Sequence, residues 1–205
     1  MKQVGKEAYT FLKYCYPDRW ASYYAQLREV IELAPQSVLE VGTGDGVFKN
    51  VIRHNTDIAY QNIDVAEDLK PDIVGSVENI PLPEGSVDVV VAFEVLEHLP
   101  YEKFEGALTE LARVARRAVV LSLPHFGPPL TFSFKIPFLP DIRFAWKIPY
   151  PRKHVFNGQH YWEIGKRGYS VSKIRAALSR HFVIEKEFIP FENQYHHFFV
   201  LSKRS

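Results

Sequence analysis

Glycine occupies every second position in a short segment that follows an apolar run. Residues 38–46 read VLEVGTGDG, so the run leads directly to Gly42, Gly44 and Gly46. Glycine adopts positive φ angles at little cost, which lets a backbone turn sharply and approach a ligand closely. The spacing is not the G-x-G-x-x-G of dinucleotide-binding turns, and no lysine follows as in a phosphate-binding P-loop. The segment predicts a strand, a tight loop and a helix, with the loop at the strand end where open α/β sheets bind ligands.

Strand and helix patterns alternate along the chain. Apolar runs predict strands, the last two of them a closing pair, at residues 37–41, 58–63, 72–75, 87–93, 117–123, 182–188 and 196–202. Helical patterns lie between them at 46–54, 101–116 and 170–181. This alternation is typical of a doubly wound α/β sheet with parallel strands. Because right-handed crossovers bring the strands' carboxyl ends to one edge, we expect Gly42, Asp64, Ser76 and Glu94 to converge there.

Residues 1–34 predict a helical cap in front of the sheet. Two helices are expected within 3–33, with a break near Pro17 and with Asp18 as the candidate N-cap of the second helix. Large side chains recur at helical spacing, namely Tyr9, Leu12, Tyr16, Trp20, Tyr23, Tyr24, Leu27 and Ile31. This face is expected to pack on the sheet, and part of it to cover a bound ligand.

Residues 124–168 differ in composition from the rest of the chain. They contain seven of the fourteen prolines, and seven Lys or Arg against two acidic residues. Proline at this density disfavours helix, whereas the aromatic content is too high for a disordered linker. We expect an ordered insertion after the fifth strand that folds over the ligand site as a lid.

Bulk properties exclude several classes of protein. A net charge of +1 argues against a general nucleic-acid binder, which must neutralise many phosphates. The single cysteine, Cys15, excludes an internal disulfide framework and a cysteine-based zinc site. The beginning of the sequence lacks a signal-peptide pattern, and no run reaches the roughly 18 apolar residues of a spanning helix. The expectation is therefore a cytoplasmic protein of one domain, residues 1–205.

Four motifs together resemble the class I S-adenosylmethionine-dependent methyltransferases, in particular the small type 11 group. Residues 36–123 carry the match: the first motif at 38–46, an acidic second-strand end at 62–64, an adenine loop at 75–81, and a fourth strand with its loop at 87–100. The resemblance implies a Rossmann-like, mostly parallel, seven-stranded sheet with an antiparallel last strand. It also implies S-adenosylmethionine as cofactor.

The resemblance assigns partners to the nucleoside half of the cofactor. Asp64 ends the second strand, and its two oxygens suit the ribose diol, because a carboxylate only accepts hydrogen bonds. Ser76 and Val77 stand where the family contacts adenine. The family often has aspartate in place of Ser76, which makes the loop a firmer prediction than the serine side chain.

The methionine half of the cofactor is assigned in the same way. Gly42, Gly44 and Gly46 allow the backbone to approach the amino-acid end. Glu40 either ties down loop amides or attracts the cofactor's ammonium group. Phe93 and Glu94 end the fourth strand, and a carboxylate there suits a cationic sulfonium.

Methylation of oxygen usually needs a general base, often histidine or a carboxylate. His125 follows the fifth strand at the predicted active edge. His160 lies in a polar and aromatic segment of the insertion. These two are the candidate catalytic residues, whereas His196 and His197 on the terminal strand are expected to take no part.

The spacing Glu94-x-x-Glu97-His98 allows an alternative. Some relatives among the quinone and small-RNA methyltransferases use this spacing, with a further group, to hold a divalent cation. The same letters occur in many metal-free members as loop and helix-start residues. The sequence therefore predicts no metal, with Glu94, Glu97 and His98 as the ligands of the alternative.

The sequence favours O-methylation of a small-molecule or glycan-type acceptor by a monomer or homodimer. One alternative is a membrane-surface enzyme with a lipid-like acceptor, since residues 132–147 interleave aromatic and basic side chains. These aromatics are expected instead to line the lid and pack inward. A non-catalytic binding module of the same fold is a further alternative, against which the intact glycine loop and Asp64 argue.

Overall fold

A computed structural model describes residues 6–204 of the chain. Within that range a central sheet has seven strands: β1 (Ser37–Val41), β2 (Ala59–Asp64), β3 (Ile73–Val74), β4 (Val87–Phe93), β5 (Ala115–Pro124), β8 (Phe182–Phe188) and β9 (His196–Lys203). Their spatial order is β3-β2-β1-β4-β5-β9-β8. Strands β1 to β5 pair in parallel, whereas β9 runs antiparallel between β5 and β8. The predicted fold class is confirmed.

Helices cover both faces of this sheet. The described residues contain α1 (Phe11–Tyr14), α2 (Pro17–Glu32), α3 (Val47–Asn55), α4 (Phe104–Val114) and α5 (Val171–His181). Apolar residues of α4 and α5 form one core cluster with one face of the sheet. Val30 of α2 and Phe48 and Ile52 of α3 form a second cluster on the opposite face. The sheet is therefore buried on both sides, as parallel sheets generally are.

Strand β4 explains why the sheet edge is well defined. Val89, Val90 and Val91 are fully buried and alternate between the two clusters. Burial of each such side chain is worth roughly 1.5–3 kcal/mol. The one charged residue, Asp88, is satisfied at the start of the strand, because it accepts the Gln36 N–H at 2.8 Å and pairs with Arg116 at 2.8 Å. A shift of β4 by one residue would bury the Asp88 carboxylate without partners, so the register of this strand is fixed.

Helix boundaries follow local chemistry, with one correction. The Ser170 side chain caps α5 by accepting the Lys173 N–H at 3.2 Å. Pro17 is the first residue of α2, where its missing N–H costs nothing. The N-cap is Tyr16, so the expectation for Asp18 is wrong. Asp18 lies in the first turn, where a negative charge still favours the helix dipole.

The predicted aromatic face of α2 is also only partly correct. Tyr23 is buried, but Trp20 and Tyr24 are exposed. The helix buries polar groups instead, because partners from the end of the chain reach them. Ser22 accepts a 2.9 Å hydrogen bond from Asn193, and Glu29 pairs with Lys186 at 2.7 Å.

The first part of the insertion is a hairpin that stands apart from the sheet. Its strands β6 (Pro129–Phe134) and β7 (Ile142–Lys147) pair antiparallel. Its large apolar side chains are exposed, so the expectation that they pack inward is wrong. In the part of the chain that the structure describes, no helix has the length and hydropathy needed to cross a bilayer.

Candidate active site

A cavity of about 580 Å³ opens at the carboxyl ends of β1, β2 and β4. This volume lies within the range of small-molecule sites. Gly42, Gly44, Asp64, Ser76 and Val77 border one end of it, which we call the nucleoside end. The other end is called the acceptor end, and it is bordered by Glu94, His98, His160, Tyr195 and His196. The sequence correctly predicted the edge of the sheet at which the cavity lies.

The glycine loop forms the wall between β1 and α3. Gly42 has φ +83°, and its N–H donates to the Ile63 carbonyl at 2.9 Å. A Cβ at Gly42 would lie 2.6 Å from a Val95 methyl carbon, so only glycine fits there. Gly44 has φ +54° and faces open space at the cavity rim. Backbone groups are therefore exposed to the cavity at this point.

Asp64 lies beside the loop because β2 pairs in parallel with β1. Its Oδ2 accepts the Thr43 N–H at 2.7 Å, and its Oδ1 accepts the Ala66 N–H at 2.8 Å. Each carboxylate oxygen has two acceptor sites, so capacity for a diol remains on both. The two amides fix the orientation of the carboxylate toward the cavity.

The loop after β3 completes the nucleoside end. The Gly75 N–H donates to the Asp64 carbonyl at 2.9 Å, which holds this loop against β2. The Ser76 hydroxyl accepts the Glu78 N–H at 3.2 Å. Val77 is buried and supplies an apolar wall. The arrangement suits a flat apolar group with polar edges.

Glu94 ends β4 with an unusual backbone and an almost buried carboxyl group. Its φ is +54°, and its N–H donates to the Ser122 carbonyl at 3.1 Å. One carboxyl oxygen lies 3.6 Å from His196 Nε2. Burial raises the pKa of Glu94 to about 8. A cation bound nearby would favour the ionised form of this group.

Three ionisable side chains converge beside Glu94. The ligand atoms of Glu97, His98 and His160 all lie within 4.8 Å of one another. Glu97 is fully buried, and neither of its oxygens has a hydrogen-bond partner among the described residues. Burial, and next the charge of Glu94, raises the pKa of Glu97 well above its usual range. Burial, and next the neighbouring His160, lowers the pKa of His98 to about 4.

His160 is oriented by the segment that follows it. Glu163 Oε1 lies 3.2 Å from His160 Nδ1 and accepts the Tyr195 hydroxyl at 2.9 Å. His160 Nε2 points the other way and lies 3.9 Å from Glu97. Although burial alone would raise the pKa of Glu163, the hydrogen bonds from His160 and Tyr195 lower it. An ionised Glu163 holds a proton on Nδ1 and leaves Nε2 as a base or ligand.

A family model described as a methyltransferase domain matches residues 39–123. These residues include the glycine loop, Asp64, Ser76 and Glu94. This part of the chain is a methyltransferase domain, and its motifs are those of the class I S-adenosylmethionine-dependent group. Its cofactor is S-adenosylmethionine.

Solved structures share the fold of the methyltransferase at low sequence identity. The Burkholderia thailandensis 1,6-didemethyltoxoflavin-N1-methyltransferase has a TM-score of 0.66 and 14% identity, over 97% of this chain and 85% of that chain. The N-methyltransferase NodS from Bradyrhizobium japonicum WM9 has a TM-score of 0.63 and 12% identity, over 93% and 90%. The magnesium protoporphyrin IX methyltransferase from Synechocystis PCC 6803 has a TM-score of 0.58 and 14% identity, over 91% and 80%. No curated protein matches the sequence.

Two residues expected at the cofactor lie outside the cavity lining of the methyltransferase. Glu40 is buried on the opposite face of β1, where its carboxyl accepts the Tyr60 hydroxyl rather than loop amides. Burial raises the pKa of Glu40 to about 8. Gly46 is the N-cap of α3 with φ +78°, so its role lies in the turn into the helix.

His125 also lies outside the cavity lining, which corrects its expected role at the acceptor. It is buried at the end of β5, and its Nδ1 lies 3.0 Å from His197 Nδ1. Burial, and next the adjacent His197, lowers the pKa of His125 to about 3. The two rings stack at a centroid distance of 5.1 Å. His125 is therefore a neutral, packed residue between β5 and β9.

Arg19, Tyr195 and His196 are among the cavity residues that the sequence did not assign to the site. Arg19 of α2 lies 3.9 Å from the Tyr14 ring centroid, and its Nε has no hydrogen-bond partner within the described part of the chain. His196 and Tyr195 reach the acceptor end from the start of β9. The Phe93 ring, which was predicted, lies at the cavity between Phe48 and Phe198. The sequence did not reveal Arg19, Tyr195 and His196, because no motif distinguishes them from ordinary surface residues.

The insertion contributes to the cavity through its second part alone. Gln159, His160 and Tyr161 border the acceptor end. The hairpin β6–β7 does not line the cavity. The expected lid is thus reduced to the segment around His160.

Proposed function

We propose that this methyltransferase transfers the methyl group of S-adenosylmethionine to a hydroxyl oxygen of a small-molecule or glycan-type acceptor. The observation that supports this proposal is the chemical difference between the two ends of one cavity. A carboxylate suited to a diol lies at the nucleoside end, and an oriented imidazole lies at the acceptor end. Residues 1–205 act as one domain, with 1–34 as a helical cap and 124–168 as an insertion.

The loops after β1, β2 and β3 would hold the cofactor. Asp64 accepts the ribose hydroxyls, while Ser76 and Val77 border the adenine. The backbone at Gly42 and Gly44 binds the amino-acid end. Arg19 offers its guanidinium to the cofactor's carboxylate, which accounts for a buried Nε without a partner. Phe93 and Glu94 lie beside the sulfonium.

Methyl transfer itself needs position and charge more than covalent chemistry. When bound, S-adenosylmethionine would supply the methyl group: its carbon–sulfur bond would break as the acceptor oxygen bonds to the methyl carbon, and S-adenosylhomocysteine would leave. His160 Nε2 takes the hydroxyl proton as the new carbon–oxygen bond forms. Glu163 is a positioning residue, because it fixes the other ring nitrogen of His160 at 3.2 Å.

A divalent cation is a second candidate feature of the acceptor end. Relatives with the Glu94-x-x-Glu97-His98 spacing suggest it. The oxygens of Glu97, which have no hydrogen-bond partner among the described residues, support it. Glu97, His98 and His160 would hold the ion, since a carboxylate and two imidazoles suit several divalent metals. When bound, such an ion would polarise the acceptor hydroxyl as a Lewis acid.

The proposed function is tested with S-adenosylmethionine that carries a ¹³C methyl group. Purified enzyme is incubated with sugars, phenols, amines and carboxylic acids, and the products are identified by carbon NMR. The proposal expects labelled methyl ethers. Labelled N-methyl or C-methyl products, with no ethers, would contradict it.

Chelation then decides the role of His160. Turnover that survives dialysis against EDTA assigns His160 Nε2 to the acceptor proton. Turnover that is lost, and that a single divalent cation restores, assigns the same nitrogen to that cation. Replacing Glu97 by Gln would then weaken the cation's binding in calorimetry without any substrate present.

A further inference from the structure

The hairpin β6–β7 has an unusual distribution of side chains. The register pairs Leu130 with Trp146, Phe132 with Phe144 and Phe134 with Ile142. Because side chains alternate along a strand, these six residues share one face of the ribbon. Each of them is 36–71% exposed. An isolated two-stranded ribbon is marginally stable in water, so such a face needs a partner.

The opposite face of the hairpin contacts the rest of the protein through two basic side chains. Lys147 donates to the carbonyls of His125 and Gly127, at 2.6 and 3.0 Å. Arg143 pairs with Glu192 and lies over the Phe191 ring at 5.4 Å. Apart from Lys147 this face is exposed as well, so the hairpin extends from the protein with its apolar face uncovered.

The turn of the hairpin extends this apolar face. Phe138 is fully exposed and has φ +69°, which an aromatic residue rarely adopts. Ile136 and Leu139 beside it are 40% and 54% exposed. A 3.1 Å hydrogen bond from the Leu139 N–H to the Ile136 carbonyl closes the turn and holds Phe138 outward.

The positive charge of the hairpin region indicates which kind of partner would cover the apolar face. Residues 129–153 contain five Lys or Arg and one acidic residue, whereas the whole chain has a net charge of only +1. Two of the five, Arg143 and Lys147, bind the protein, so the basic residues that face a partner are Lys135, Arg152 and Lys153. Lys135 is 76% exposed beside the turn, and Lys153 is exposed after the hairpin. Exposed aromatics with basic neighbours suit a bilayer surface with anionic headgroups, because the rings enter the interface while the cations remain at the headgroups.

We propose that β6–β7 docks this methyltransferase on an anionic lipid surface. The hairpin follows β5 at the carboxyl edge of the sheet, which is the edge where the cavity opens. Docking through it places the acceptor end close to the interface. This step rests on the proposed function and narrows the acceptor to an amphiphilic molecule that carries a hydroxyl group at the headgroup level.

The proposal is tested by co-sedimentation of the full chain with vesicles, which needs no turnover. Vesicles of phosphatidylcholine alone are compared with vesicles that also contain phosphatidylglycerol. The proposal expects binding to the anionic vesicles, with weaker binding at high salt. Absence of binding to both compositions would overturn the docking proposal and leave the methyltransferase assignment intact.

Matched variants locate the contact. Replacing Phe138 and Phe144 together by Ser should weaken vesicle binding by at least about tenfold, since two large apolar side chains are lost from the interface. Leu12→Ser is the control, because Leu12 is 95% exposed on α1. Unchanged cofactor affinity in all variants shows that they fold.

Light scattering tests the alternative that a second copy of this chain covers the apolar face. If the wild type forms a dimer that Phe138→Ser and Phe144→Ser abolish, and does not bind vesicles, the face is an interface between two copies and the lipid proposal is wrong. Vesicle binding equal in the wild type and the double variant would also overturn it.

Discussion

The nucleoside end and the acceptor end of the cavity are built in different ways. At the nucleoside end, main-chain turns and short hydrogen bonds fix each group: Asp64 accepts two amides, and Gly42 donates to Ile63. At the acceptor end, ionisable side chains from separate segments approach one another: Glu97 lies 3.9 Å from His160, and Glu94 lies 3.6 Å from His196. The nucleoside end is suited to a ligand that does not vary, the cofactor, and backbone geometry shapes it. The acceptor end holds charge in a low dielectric, where pKa values change and chemistry becomes possible.

Among the variants that test this difference between the two ends, His160→Gln is expected to have the largest effect, a loss of turnover. Loss of a general base typically lowers turnover by about 100-fold or more. Because His160 lies at the acceptor end, the affinity for S-adenosylhomocysteine should not change. Steady-state kinetics and calorimetry measure the two quantities separately. His125→Gln is the matched control, and equal losses of turnover in both variants would remove His160 from the mechanism.

A methyl group at Gly42 tests the nucleoside end. In Gly42→Ala the new Cβ would lie 2.6 Å from Val95 on a backbone with φ +83°. Overpacking of this kind costs typically about 1–3 kcal/mol, so the affinity for S-adenosylhomocysteine should fall by roughly 30-fold.

Gly85→Ala provides the control for backbone strain, since Gly85 has φ +58° and open space around it. It should lose about 1 kcal/mol of unfolding free energy and no cofactor affinity. A Gly42→Ala protein that folds and binds the ligand as tightly as the wild type would show that the loop does not carry the cofactor.

Asp64→Asn should weaken the binding of S-adenosylhomocysteine by at least tenfold, about 1.4 kcal/mol. The Asn side chain has an NH₂ group in place of one carboxylate oxygen. This donor would face either a backbone N–H or a ribose hydroxyl, where Asp64 offers an acceptor. Asp72→Asn is matched to it, because Asp72 also accepts a backbone N–H, from Asn62 at 3.1 Å, and does not line the cavity. Calorimetry that finds equal losses in both variants would reassign Asp64 to a structural role.

The smallest predicted effect is a pH dependence that distinguishes two ligands. Glu94 has a pKa of about 8, so it is largely protonated at pH 6.5 and ionised at pH 8.5. S-adenosylmethionine is a sulfonium cation, whereas S-adenosylhomocysteine lacks that charge. The affinity for the first should therefore rise with pH relative to the second, by about three- to tenfold.

Calorimetry with both ligands at the two pH values measures this difference. Glu94→Gln should remove it. A ratio that is independent of pH in the wild type would place the sulfonium away from Glu94.

The contrast between the two ends also explains what the sequence could predict. Strand periodicity placed Asp64 and Ser76 at one sheet edge, because neighbours in a parallel sheet end together. His160, Tyr195 and Arg19 come from an irregular loop, the start of β9 and α2, and their convergence depends on tertiary packing that no local pattern encodes. His125 satisfied the topological rule but packs on His197, since β9 inserts beside β5.

The hairpin β6–β7 is a region for which the sequence-based prediction was wrong. Its apolar content predicted burial, which is the usual outcome for such residues. The hairpin instead extends from the protein, to which Arg143 and Lys147 bind it, and its aromatic face stays exposed.

A crystal structure of the enzyme with S-adenosylhomocysteine tests the central proposal most directly. The proposal predicts the ribose on Asp64, the adenine beside Ser76 and Val77, and the sulfur atom near Glu94 with open space toward His160. A ligand whose ribose lies away from Asp64, or whose sulfur faces a wall with no route to His160, would contradict it.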